Sequence, residues 1–274
     1  MPSFGLPDVE KLKAAGDAQG LIRALGCRRD PRVRRDAAEA LGSFGDAGAV
    51  EFLIAALKDD SWSVREAAAL SLGQMRDARA LGPFTVALQD GTEDVRKAAV
   101  QALGGIGGVD AVAPLIAALG DDSWGVRGAA AGVLGRIGDA RAVEPLGQAL
   151  QDADLGVREA AAEALVRIGT PAFEPLAAAL QDDSWDVRRT AARALGQIRD
   201  TRAVGPLVAA LRDPYDSWLR GNAAAALGQI GDPGAVPPLV AALYDRDANV
   251  RNAAATALAA LGWQPGKNEI TGRG

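Results

Sequence analysis

The sequence predicts an all-α fold, a right-handed α-solenoid of about eight helical hairpins with a short capping helix at its N-terminus. Two observations carry this: an internal period of 31 residues, and apolar residues at helical spacing within every copy. Composition is the third. Alanine and leucine dominate, aromatic residues make up 4%, and the 33 glycines and 14 prolines recur at intervals instead of clustering as in a linker.

The elements follow in chain order. Residues 8 to 15 predict a short polar helix, so residues 1–16 read as an N-terminal capping segment. Eight repeats occupy residues 17–262. Their register is set by Val33-Arg34, Val64-Arg65, Val95-Arg96, Val126-Arg127, Val157-Arg158, Val187-Arg188, Leu219-Arg220 and Val250-Arg251. The one short step falls at Thr170 to Phe173 and the one long step at Asp213-Pro214-Tyr215, both in turns.

Each copy reads as two helices. The first is typified by Asp139 to Leu150, with Asp139 as N-cap, an apolar face through Val143, Leu146 and Leu150, and Pro145 expected to kink it. The second runs from about Ser123 to Ile137, and Gly138 supplies the positive φ that ends it. A single hairpin cannot bury both faces, but stacked hairpins can. The last helix, Asn249 to Leu261, offers little polar surface beyond Asn252 and Thr256. Further repeats or end-to-end self-association are therefore expected there, with residues 263–274 a disordered tail or a truncation point.

The unit Asp-x-Arg-Ala-Val-x-Pro-Leu, a turn with Asp, then Val-Arg-x-x-Ala-Ala-x-Ala-Leu-Gly-x-Ile-Gly resembles the HEAT repeat, most closely the bacterial and archaeal subclass named after the phycobilisome lyase subunits. The likeness spans about residues 17 to 262. It implies a solenoid whose second helices line the concave side. It also implies Asp–Arg ties between successive turns and, as one functional alternative, a bilin lyase or chaperone-like subunit. A second alternative is DNA binding in the manner of HEAT-like DNA glycosylases, which use aromatic and charged residues in a concave groove. Fold alone does not choose among these.

Composition excludes much chemistry. The chain has no histidine, which removes the commonest general base and metal ligand and every Ser-His or Cys-His nucleophile pair. With 30 basic and 35 acidic residues the net charge is −5, so nucleic acid is a disfavoured partner. Cys27 is the only cysteine, which forbids an internal disulfide and points to a reducing, cytoplasmic compartment. No stretch of 18 apolar residues occurs, and membrane insertion is not expected.

Apparent sites dissolve on inspection. The arginine after each Val is expected to pair with a turn aspartate such as Asp60, Asp90, Asp122, Asp152, Asp183 or Asp245, not to bind phosphate. Asp245-x-Asp247-x-Asn249 starts like a calcium loop but has Val250 and Thr256 where glycine and glutamate belong. Gly104 to Gly108 follows a helix, lacks the phosphate-loop Lys-Ser/Thr, and reads as a turn. Cys27, beside Arg28 and Arg29, reads as incidental. No catalytic constellation and no cofactor or metal site assembles, so an enzyme is not predicted.

Function is expected where the copies differ yet stay exposed. Positions −2, +2, +6 and +10 from the Val form one ridge per second helix. They read Trp62-Glu66-Leu70-Gln74, Glu93-Lys97-Gln101-Gly105, Trp124-Gly128-Gly132-Arg136, Leu155-Glu159-Glu163-Arg167, Trp185-Arg189-Arg193-Gln197, Ser217-Gly221-Ala225-Gln229 and Ala248-Asn252-Thr256-Ala260. Trp62, Trp124, Trp185 and Trp218 sit in a repeated Asp-Ser-Trp, either as interface anchors or as staples over their own turns. At about 10 Å per repeat the first three would fall ~20 Å apart, a ruler for an extended chain. Gly128 and Gly132 would form a notch beside Trp124. The expected partner-binding residues are thus Trp62, Glu66, Leu70, Trp124, Gly128, Gly132, Leu155, Glu159, Trp185, Arg189, Arg193 and Trp218, and the expected partner is a protein or peptide.

Overall fold

A computed structural model describes residues 6–264, and all but the first two residues of the expected tail, 263–274, lie outside them. Among the described residues there are 17 α-helices and no strand, in two compact units, Met1–Ile137 and Gly138–Gly274. In the first unit α1 is Val9–Ala14, α2 Ala18–Leu25, α3 Pro31–Phe44, α4 Val50–Ala56 and α5 Trp62–Met75. It continues with α6 Leu81–Ala87, α7 Glu93–Ile106, α8 Val112–Ala118 and α9 Trp124–Ile137. In the second unit α10 is Val143–Ala149, α11 Leu155–Ile168, α12 Phe173–Ala179 and α13 Trp185–Ile198, then α14 Val204–Ala210, α15 Ser217–Ile230, α16 Val236–Ala242 and α17 Ala248–Ala260.

The hairpin pattern holds, with one correction. The segment Asp139 to Leu150 is not one kinked helix but a 3-10 turn, Ala140–Ala142, followed by the seven-residue α10. Pro145 is the third residue of α10, where its missing N–H would have had no helical acceptor, so the helix runs through it without interruption. Asp139 caps the 3-10 turn as expected, accepting the Arg141 N–H at 2.9 Å. Gly138 has φ +74°. At the equivalent C-terminal position Arg76 and Arg199 take φ +53° and +59°, a conformation that glycine adopts without cost.

Within each unit the core lies between a layer of first helices and a layer of second helices. Leu53, Phe84 and Leu115 from the first layer are fully buried, as are Val64, Leu72 and Leu103 from the second. Small residues set the spacing of the second layer. A Cβ placed on Gly73 would lie 2.7 Å from the Cα of Ala102. Gly228 would meet Ala257 at the same distance, and Gly104 would meet a Val133 methyl at 2.8 Å. Gly104 and Gly105 are thus helical residues of α7, and only Gly107 and Gly108 form the expected turn.

Successive hairpins are tied by Arg–Asp pairs. The Nε and Nη2 of Arg34 donate to Asp59, at 2.7 Å each. Arg65 with Asp90, Arg96 with Asp121 and Arg220 with Asp245 repeat the arrangement. Asp59 and Asp121 take the places expected of Asp60 and Asp122. The first aspartate of each turn accepts the N–H two residues on, from Ser61 or Ser123, and this fixes its carboxylate toward the preceding repeat. The expected pair through Asp183 does not form. Arg158 reaches a carboxylate only at 3.7 Å, on Asp186, and the buried Nε atoms of Arg158 and Arg188 have no hydrogen-bond partner. Burial raises the pKa of Asp59, Asp90 and Asp121, but the arginine and backbone hydrogen bonds outweigh it and hold all three below the usual carboxylate range.

Candidate interaction surface

Helix periodicity puts the positions −2, +2, +6 and +10 on the side of each second helix opposite the core, and every one of these residues is at least partly exposed. In the first unit the ridge of α5 presents Trp62, Glu66 and Leu70. Burial, then the nearby charges of Asp94 and Glu39, push the Glu66 carboxyl above its ordinary value. On α9, Trp124 stands at the start of the ridge and Gly128 and Gly132 follow at one-turn intervals. A Cβ on Gly132 would meet nothing within 4 Å, so this helix surface is open.

The second unit carries Leu155, Glu159 and Glu163 on α11 and Trp185, Arg189 and Arg193 on α13. Leu155 is exposed, as are both glutamates and Arg193. Arg189 is not free to receive a partner's charge. It donates from Nε and Nη2 to the fully buried Asp216 carboxylate at 2.9 Å, and its guanidinium carbon lies 5.7 Å from the centre of the Trp185 ring. Its role here is to hold the indole against the helix from one turn below. Asp216 also caps α15 through the Leu219 N–H, at 3.0 Å.

Trp62, Trp124, Trp185 and Trp218 of the Asp-Ser-Trp segments are 48%, 63%, 55% and 66% exposed. Trp218 departs from the others. The lengthened turn at Asp213-Pro214-Tyr215 leaves it at position −1, beside the ridge, and Ser217 takes the ridge position. Tyr215 and Tyr244 are more exposed still, on turns that the ridge pattern does not reach.

Sequence reasoning missed a cleft of about 300 Å³ between α11 and α13, lined by Glu159, Glu163, Val166, Thr190, Arg193 and Gln197. The signal was present, since glycine occupies position +9 in most second helices and Val166 replaces it in α11. Among the described residues no cluster of three or more His, Cys, Asp or Glu could hold a metal ion, and no helix is long and apolar enough to cross a membrane.

A family profile described as HEAT repeats matches residues 18–104, 52–131, 82–165, 112–184 and 173–259. No curated protein matches the sequence. Among solved structures, Kap95p in its RanGDP complex aligns with a TM-score of 0.68 and 16% identity, over 93% of this chain and 40% of that one. YibA of Escherichia coli aligns with a TM-score of 0.54 and 23% identity, over 93% and 96%. Both show an α-solenoid fold and nothing of function. The CpcE–CpcF complex of phycocyanin lyase from Nostoc is 29% identical over 77% of this chain and 86% of that one. Its TM-score is 0.45, too low to carry an argument about activity.

Proposed function

The chain belongs to the HEAT-repeat family, and from that premise we propose that it is a non-catalytic scaffold that binds a protein or peptide on the face built by its second helices. One observation carries the reading. Over a core of nearly invariant Ala, Val and Leu, the exposed ridge changes chemistry at each repeat while carrying tryptophans that are about half exposed or more. Such rings supply large contact area with few rotatable bonds, and the open surface at Gly132, two turns along the same ridge from Trp124, gives a partner room on that face. The ridge mixes Glu66, Glu159 and Glu163 with Arg193, which makes a poor phosphate track and favours a polypeptide over nucleic acid.

The test is affinity capture followed by quantitative mass spectrometry, comparing wild type with Trp124→Ala plus Trp185→Ala. The double variant should lose the specific partner while keeping its helical circular dichroism. Recovery of the same partner set by both proteins would sink the reading. The repeat consensus resembles the phycobilisome-lyase subclass, so a bilin lyase role is the second reading. Covalent transfer of a bilin to its acceptor protein on incubation with this chain would establish it over the scaffold.

A further inference from the structure

Val166 stands in α11 where α13 carries Gly196 and α15 carries Gly228, and by register it faces Ala194 of α13. Gly196 lets α13 and α15 approach until an added Cβ would lie 2.7 Å from the Ala226 Cα. An isopropyl group cannot occupy that spacing, so α11 and α13 stand apart and the cleft opens between them. The tie at the start of these two helices is missing as well. Arg158 lacks its bidentate carboxylate, and Asp182, which occupies the pairing position of that turn, accepts from Gln151 Nε2 at 2.7 Å instead.

We propose that Val166 is a wedge, and that the cleft it opens receives a lysine or arginine side chain of an extended partner peptide. This rests on the scaffold reading above and names its partner chemistry. The floor is Ala162, Val166 and Ala194, apolar and able to cover an alkyl stem. One rim carries Glu159 and Glu163, exposed carboxylates with no ion pair among the described residues. The other carries Arg193, while the charge of Arg189 is already matched by Asp216. Among the residues that line the cleft two negative charges face one positive, with Arg167 a turn beyond Glu163 and outside the lining, and this balance favours a cation. Arg193 and the Thr190 hydroxyl then face the carbonyl groups of the same peptide.

The experiment selects peptides from a random phage-displayed library on the full chain and measures their affinities for variants by fluorescence polarisation. Recovered peptides should be enriched in Lys and Arg, and binding should weaken roughly tenfold or more on Glu159→Gln plus Glu163→Gln and on Val166→Gly. Enrichment in Asp or Glu, or binding indifferent to both cleft variants, overturns the proposal. Peptides that depend on Trp124 and Trp185 but not on the cleft leave the scaffold reading standing and remove only this inference. A library that yields no binder removes both. If Val166→Gly fails to fold, the surface glutamine pair decides the matter alone.

Discussion

Replacing Gly73 with alanine tests the packing on which the second-helix layer depends, and Gly132→Ala is its control. Both sites are in 14-residue helices of the first unit, α5 and α9, at helical φ. Each substitution therefore gains the same intrinsic helix preference, about 1 kcal/mol. They differ in what the new methyl meets. At Gly132 there is nothing within 4 Å, whereas at Gly73 the methyl falls 2.7 Å from Ala102 Cα and 2.8 Å from its Cβ. Carbon atoms rest at about 3.5–4.0 Å, so α5 and α7 must part by roughly 1 Å along their contact. Overpacking of this kind costs about 1–3 kcal/mol. Because the helix term cancels, the gap between the variants should be that same 1–3 kcal/mol, with Gly132→Ala more stable than wild type by about 1. Urea unfolding followed by circular dichroism reads it, with midpoints compared at constant slope because repeat arrays can unfold in steps. Equal midpoints for the two variants would refute close packing at Gly73. Partner binding measured on the same Gly132→Ala sample tests the notch, since a variant stabilised yet defective in binding separates function from fold.

Four further outcomes follow. Asp59→Ala should lower stability by about 1–3 kcal/mol, since it strands a largely buried Arg34, while Asp60→Ala should stay within about 0.5; thermal melts distinguish them. The carboxylates of Asp59, Asp90, Asp121 and Asp245 titrate below their ordinary value of 3.8 in the folded chain. Their stabilisation should thus be complete above that value and drain away as pH falls through the lower folded values, seen as a melting temperature that drops in acid. Glu66 has the opposite sign, its folded pKa lying above 4.5, so its ionisation opposes folding at neutral pH. Glu66→Gln should raise the melting temperature at about pH 7 and leave it unchanged at about pH 3. Asp216→Asn, which keeps the α15 cap but removes the charge under Arg189, should alter Trp185 fluorescence and cost about 1–3 kcal/mol, read by emission spectra and urea titration.

The ridge residues show how far the pattern alone reaches. A helical period of about 3.6 residues fixes which side of a second helix faces the core, so the exposure of Trp124, Glu159 and Arg193 could be read from spacing. Whether an exposed charge is available could not. Arg189 has the same ridge position as Glu159 and Glu66, yet its guanidinium is committed to Asp216, 27 residues later, because the lengthened turn carries that aspartate beneath it.

The sequence by itself determined the helical hairpins, their register, the caps at residues such as Asp139 and the left-handed turn at Gly138, because each depends on residues within one or two turns of itself. It also held the glycine column and its exception. Tertiary structure alone decided what those residues do between helices: which aspartate of a turn meets the arginine one repeat earlier, and that one valine parts α11 from α13. The reason is distance in sequence. A contact between residues a whole repeat apart depends on how closely two helices approach, and that approach is set by the bulk of the side chains between them.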